Sequence, residues 1–251
     1  FRPLWPIYLS CRTLDRRKMD LKTLHFTDAL INFTCGAMCL SVWASRPRDL
    51  CFALWGSGSL LYGFMAWISD YLPDGAYGIG LSYSALQMAT ILFWGGYRAF
   101  DQRSALPIWL FALPALPLTA CLLADCLTGE EMLIAQVIIL TYCAVTAAQI
   151  IYVLRGCRTW YGPRAISAYA VIFILTSILA TSYLTSTRLT KQESEVLLLL
   201  TDHAMSIVFT LAVIAMVGQK DLRDLLSVSR RDPLTGALNR WGAHRCACRR
   251  P

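Results

Sequence analysis

The stretch Val196 to Val217 reads VLLLLTDHAMSIVFTLAVIAMV, and its only ionisable residues are Asp202 and His203. A bilayer core needs roughly 20 apolar residues of helix, each rising about 1.5 Å. This segment is long enough to cross one. Similar runs recur at about 24–43, 50–69, 76–97, 105–124, 131–154 and 165–184. Together they predict an all-α fold, a polytopic membrane bundle of about seven transmembrane helices. Pro107, Pro114 and Pro117 must distort the fourth run, which a membrane helix tolerates when neighbours re-satisfy its backbone. Turn residues separate the runs: Arg46-Pro47-Arg48, Pro73-Asp74-Gly75, Thr128-Gly129 and Gly162-Pro163.

Composition agrees. Of 251 residues, 56% are hydrophobic and 16% charged, with a mean hydropathy of +0.49. A water-soluble domain carries about 25% charged residues. These values exclude low-hydrophobicity disorder and an ordinary soluble enzyme.

A formal charge of +7 would by itself suggest an anionic partner, but its distribution removes that reading. Residues 1–18 hold Arg2, Arg12, Arg16, Arg17 and Lys18 against Asp15, and residues 241–251 hold three arginines and no acid. The stretch 19–240 carries 15 basic and 15 acidic residues, so no nucleic-acid partner is expected. Residues 1–18 read as a non-native or upstream leader, because Met19-Asp20-Leu21-Lys22 stands directly before the first run, where a start codon would fit. They lack the apolar core of a signal peptide.

Loop charges set an orientation. Twelve basic residues follow runs one, three, five and seven: Arg46, Arg48, Arg98, Arg103, Arg155, Arg158, Arg164, Lys220, Arg223, Arg230, Arg231 and Arg240. The other side carries Lys22, Arg188 and Lys191. The positive-inside rule therefore predicts a multi-pass membrane protein with its N-terminus outside and its C-terminus in the cytoplasm. Trp43, Trp67, Tyr71, Tyr97, Trp160 and Tyr161 stand near run ends, as interfacial anchors do. Cys35, Cys39, Cys51, Cys121 and Cys143 fall within runs and are expected to be free thiols, while Cys126 and Cys157 face opposite sides.

After the seventh run the composition turns polar. Residues 218–231 are expected to form a cytoplasmic linker helix. Leu222, Leu225, Leu226 and Ser229 make a narrow seam there, suited to pairing two copies of the chain. Then comes Arg231-Asp232-Pro233-Leu234-Thr235-Gly236-Ala237-Leu238-Asn239-Arg240. Asp232 can cap, Pro233 suits a first helical position, and Leu234 and Leu238 share one face, so the segment reads as a helix stop, a turn and a new helix.

These residues resemble the opening of the GGDEF domain of diguanylate cyclases, which reads D-x-L-T-G-L-x-N-R. The matching positions are Asp232, Leu234, Thr235, Gly236, Leu238, Asn239 and Arg240, with Ala237 in place of the usual Leu. A multi-span region leading by a helix into this motif is also similar to membrane-bound members of that family. The resemblance implies a sensor region at 19–217, a linker at 218–231 and the start of an α/β GGDEF domain at 232–240. It further implies a homodimer joined through the last helix and linker. In the complete family enzyme each subunit holds one GTP, and a 3′-hydroxyl attacks the neighbouring α-phosphorus to give cyclic di-GMP. Mg²⁺ stabilises the phosphates there.

The given sequence contains no GG(D/E)EF motif and no Asp-x-Asp-x-Phe strand after Arg240. The expectation is therefore a truncated cyclase domain, a chain inactive by itself, no catalytic or metal residues, and no cofactor. Thr128-Gly129-Glu130-Glu131-Met132 superficially resembles Gly-Gly-Glu-Glu-Phe but precedes the motif and leads into the fifth run. The tail Trp241 to Pro251 lacks a helical stripe and reads as an aberrant, frameshifted end. Its His244-x-Cys246-x-Cys248 matches no usual zinc spacing.

Ionisable residues inside a bilayer are candidates for function. Asp202 and His203 lie about 9 Å into the seventh run, and His25 and Asp28 lie one turn apart at the outer end of the first. These four are the candidate sensor residues, for a small ligand or a proton. The competing class is a seven-span receptor or small transporter in which Asp-Pro-Leu-Thr-Gly is coincidental.

Overall fold

The computed structural model describes residues 21–229 except 69, 70, 74, 129, 130, 158, 188 and 189. Among these residues seven α-helices follow in order: α1 Leu21–Ser45, α2 Leu50–Ile68, α3 Ala76–Phe100, α4 Ala115–Thr128, α5 Glu131–Arg155, α6 Pro163–Thr187 and α7 Lys191–Ser229. No strand occurs among the described residues. The leader 1–18, the motif residues Asp232, Leu234, Thr235, Gly236, Leu238, Asn239 and Arg240, and the tail 241–251 lie outside the described residues.

Among the described residues, six segments are long and apolar enough to cross a membrane: Leu21–Ser45, Leu50–Ile68, Ile108–Leu127, Gln136–Arg155, Pro163–Thr181 and Val196–Leu226. The chain is thus a multi-pass membrane protein. Its outer surface fits a lipid bilayer, with Phe26, Leu30, Leu123, Leu140, Phe173 and Leu211 exposed. The 25-residue α3 falls short on hydropathy. It packs on α2, α4 and α5, with Gly78, Gly80, Gln87 and Thr90 buried rather than facing lipid. Small and polar residues suit a buried helix–helix contact better than a lipid-facing one.

The prolines act on the fourth segment as expected. Pro107 opens a short 3₁₀ turn, Ile108–Ala112, and α4 begins only at Ala115, so Pro117 falls in its first turn. At the start of α7, Thr190 and Glu193 form a reciprocal cap. The Thr190 amide and hydroxyl both donate to Glu193 Oε2 at 2.9 Å, and the Glu193 amide donates back to Thr190 Oγ1 at 3.3 Å. The Thr190 amide, then its hydroxyl, holds the Glu193 carboxyl below the usual glutamate range.

α1 lies against α2 and α7, and α7 against α6, so α1, α2, α3, α5, α6 and α7 close a ring with α4 outside on α3 and α5. The α1–α2 contact is close because Gly36 and Gly56 face each other. A Cβ on either would stand 3.0 Å from the other's carbonyl oxygen. Within the ring an aromatic layer joins α2, α3 and α7. Trp55 and Tyr97 meet edge-on at 5.6 Å, Phe93 and Phe209 at 5.0 Å, and Tyr97 and Phe209 at 6.3 Å. Trp55 also donates its indole N–H to the Phe93 carbonyl at 3.2 Å. The described cysteines are unpaired. Cys35, Cys39, Cys51 and Cys121 are buried, Cys143 and Cys157 half-buried and Cys126 exposed.

Candidate functional site

Two features position the site: α1 and α7 are neighbours although they are the first and last helices, and each carries an aspartate near the same end. Asp28 of α1 and Asp202 of α7 are 2% and 9% exposed. Their carboxyl groups stand within reach of each other, and the Tyr62 hydroxyl of α2 lies close to Asp202. Asn32, one turn below Asp28, donates its side-chain amide to Asp28 Oδ1 at 3.1 Å. His203 Nε2 lies 3.5 Å from Asp28 Oδ1. That is ion-pair range, but without hydrogen-bond geometry. The His203 ring also hydrogen-bonds the backbone of Leu24.

Asp28 and Asp202 form the floor of a cleft of about 780 Å³. His25 and Lys22 line it near the start of α1, and Leu86, Ile139, Ile174 and Ile178 supply apolar walls. The cleft shares Tyr62, Tyr142 and Asp202 with a second, inner cavity of about 70 Å³. The inner cavity has mostly apolar walls, with Asn32, Ser59, Thr90, Thr146 and Gln149 as polar positions, and has room for a few waters. Phe93 and Phe209 of the aromatic layer form its far wall.

The site is under-satisfied in hydrogen bonds. Asp202 Oδ2, His203 Nε2 and Thr146 Oγ1 are buried without a hydrogen-bond partner. Buried polar atoms are nearly always paired, so orphans on and beside the two cavities call for a physical account. Two carboxyl groups in contact pose a further requirement, since two bare anions repel and need a proton or a cation between them. The arrangement can therefore accept positive charge. Among the described residues, no three His, Cys, Asp or Glu side chains come together to hold a metal ion.

Of the four candidate sensor residues, the structure brings Asp28, Asp202 and His203 into one cluster and places His25 on the wall of the same cleft. Asn32 and Gln149 stand in the sequence as polar residues within apolar runs, and both line the inner cavity. Tyr62 and Tyr142 have no such mark, although both are tyrosines well inside runs rather than at their ends, which is a usable signal. Gln87 is also fully buried and unpartnered but lines neither cavity.

The opposite end of the bundle holds the basic residues. Arg164, at the start of α6, grips Asp101 at the end of α3, and Tyr152 of α5 donates its hydroxyl to the same carboxylate at 2.8 Å. Burial pushes the Asp101 carboxyl up, but hydrogen bonds from Arg164 and Tyr152 outweigh it and hold the group below the usual aspartate range. Arg46, in the loop after α1, pairs with Asp221 of α7. The hydrogen bond to Asp221 raises the Arg46 guanidinium above its ordinary value. Lys220 lies 5.4 Å over the ring of Phe100. One helix, α7, thus touches both ends: Asp202 and Lys220 are 18 residues apart, about 27 Å along its axis.

No protein-family profile matches this sequence, and no curated protein or solved structure matches it.

Proposed function

We propose that this chain is the membrane sensor region of a diguanylate-cyclase-type signalling protein, with the cleft over Asp28 and Asp202 as its input site. The observation that carries the reading is a single continuous helix. α7 holds the buried Asp202 near one end, runs 39 residues without a break, and leads toward the Asp232–Arg240 motif. A ligand that rearranges the carboxyl cluster moves the element on which the catalytic domain of a full-length cyclase would be mounted.

In this reading α3 is a seventh crossing, the cleft faces outside the cell, and the basic end with the α7 extension faces the cytoplasm of a bacterium. The extension pairs with that of a second copy. GTP and Mg²⁺ belong to the complete cyclase domain. A transporter is the competing class, and the aromatic layer argues against it. Phe93 and Phe209, which line the inner cavity next to the cleft, are backed by Trp55 and Tyr97. A transport path would need a polar or mobile continuation there.

The genomic DNA downstream of codon 240 tests the assignment. Translated in all three frames, it is expected to encode an Asp-x-Asp-x-Phe strand and a Gly-Gly-(Asp/Glu)-Glu-Phe hairpin. Absence of both sinks it.

A further inference from the structure

We propose that the cleft between α1 and α7 binds a small amphiphilic amine, its ammonium held by Asp28 and Asp202 and its apolar body by Leu86, Ile139, Ile174 and Ile178. This rests on the sensor reading and names the chemistry of the signal. Charge is the first reason. Two carboxyl groups meet at the cleft floor, and one oxygen of the nine-tenths buried Asp202 has no donor. An ammonium carries three N–H donors, enough to serve both carboxylates and the Tyr62 oxygen together. It also supplies the positive charge that keeps two buried carboxylates from repelling each other.

Shape is the second reason. A proton or a bare metal ion needs no chamber, whereas about 780 Å³ lies in the range of sites for small organic molecules, roughly 300–1,000 Å³. The metal alternative also lacks its geometry, as no three His, Cys, Asp or Glu side chains among the described residues, the Asp28–Asp202–His203 cluster included, are arranged to hold a metal ion. Aromatic rings are the third reason. Tyr83 and Tyr142 meet edge-to-face at 6.1 Å on the cleft wall, next to the carboxylates, where a ring face attracts a cation. The mouth carries the Lys22 ammonium, so a second cationic end on the ligand is disfavoured and a single ammonium with an apolar tail fits best.

The test uses the full chain in lipid nanodiscs, titrated calorimetrically with 2-phenylethylammonium and n-hexylammonium. Their neutral counterparts, 2-phenylethanol and 1-hexanol, and sodium chloride alone serve as controls. At least one amine is expected to bind saturably, and neither alcohol nor the salt to do so. Asp28→Asn and Asp202→Asn each weaken amine binding about 30-fold, as removal of one member of a buried charged pair does. Asp202→Glu retains more binding than Asp202→Asn, which separates loss of charge from loss of fold. The proposal is overturned if neither amine binds, if the alcohols bind as well as the amines, or if both asparagine variants bind like the parent. None of these outcomes bears on the cyclase assignment, which depends on the downstream reading frames.

Discussion

Arg164 holds Asp101 in a fork: Nη1 lies 2.5 Å from one carboxylate oxygen and Nη2 2.9 Å from the other. The same guanidinium donates through Nε to the Val153 carbonyl at 3.0 Å. Its helix begins the ring contact with α7, while Asp101 ends α3 and Tyr152 and Val153 lie near the end of α5. Three helices are therefore tied at one carboxylate. Next to it, Tyr97 donates to Ser167 at 2.6 Å, and Ser167 donates on to the Arg164 carbonyl at 2.8 Å.

Replacing Arg164 with alanine leaves Asp101 half-buried and without its cation. A fully buried pair broken on one side costs about 3–5 kcal/mol. Here the side chains remain 12% and 24% exposed, so a loss of about 2 kcal/mol is expected. Arg164→Lys keeps the charge but loses the fork and falls between the two. Unfolding in detergent micelles measures this, and an alanine variant as stable as the parent would contradict the tie.

The same carboxylate sets an acid limit. Its folded value lies below the ordinary 3.8, so its contribution is complete above that value and is lost as pH falls through the lower folded one. Stability attributable to Asp101 is therefore flat near neutral pH and declines only in strong acid. In Asp101→Asn that part of the acid decline disappears. Melting curves of parent and variant between pH 2 and 7 should converge at the acid end and separate at the neutral end.

Gly96 and Gly218 are a matched contrast. A Cβ on Gly96 would run into the indole of Trp55, which is fully buried and anchored by its hydrogen bond to Phe93, whereas a Cβ on Gly218 meets nothing within 4 Å. Gly96→Ala is expected to cost about 1–3 kcal/mol through overpacking. Gly218→Ala should be neutral or gain up to about 1 kcal/mol from helix propensity. Equal effects of the two substitutions would remove the packing argument.

The helices were legible because hydropathy reports what the bilayer demands of each segment independently. The runs beginning near 24, 50 and 196 return as α1, α2 and α7, and Pro107 announces the broken start of the fourth. Which helices touch was not legible, because adjacency of α1 and α7 is a property of ring closure. Asp28 and Asp202 could each be picked out as costly residues in a membrane, and the sequence sets both toward the outer side, but that their carboxyl groups meet is a product of the packing. Arg164 shows the converse. In the sequence it counts as one of many loop cations that orient the chain, yet its main work is to hold three helices on Asp101. Tyr62 was hidden because a tyrosine, unlike an aspartate, sits in an apolar run at little cost.

The proposed orientation predicts which thiols a membrane-impermeant maleimide reaches. Cys126 is exposed near the end of α4, and the half-buried Cys157 follows α5 at the other end of the bundle, its thiol donating to the Val153 carbonyl at 3.4 Å. With the other cysteines replaced by alanine, Cys126 should label in intact spheroplasts, and Cys157 only in inverted vesicles. The reverse pattern would turn the protein over and place the carboxyl cleft on the cytoplasmic side.

The seam on the α7 extension gives the last expectation. Leu222, Leu225 and Leu226 are 58%, 68% and 44% exposed, beyond the part of α7 that packs in the ring. Two copies meeting along the leucines would bury that apolar surface at about 25 cal/mol per Å², with Asp224 turned away from the contact. Cysteines at 222 or 225, introduced into a background without other cysteines, are therefore expected to cross-link in native membranes under mild oxidation. A cysteine at 224, rotated to the opposite face at 100° per residue, should not. If 224 cross-links as readily as 225, the contact is random collision in the bilayer. If none cross-links while the protein is folded, the leucines lie on the membrane surface and the dimer must be formed elsewhere.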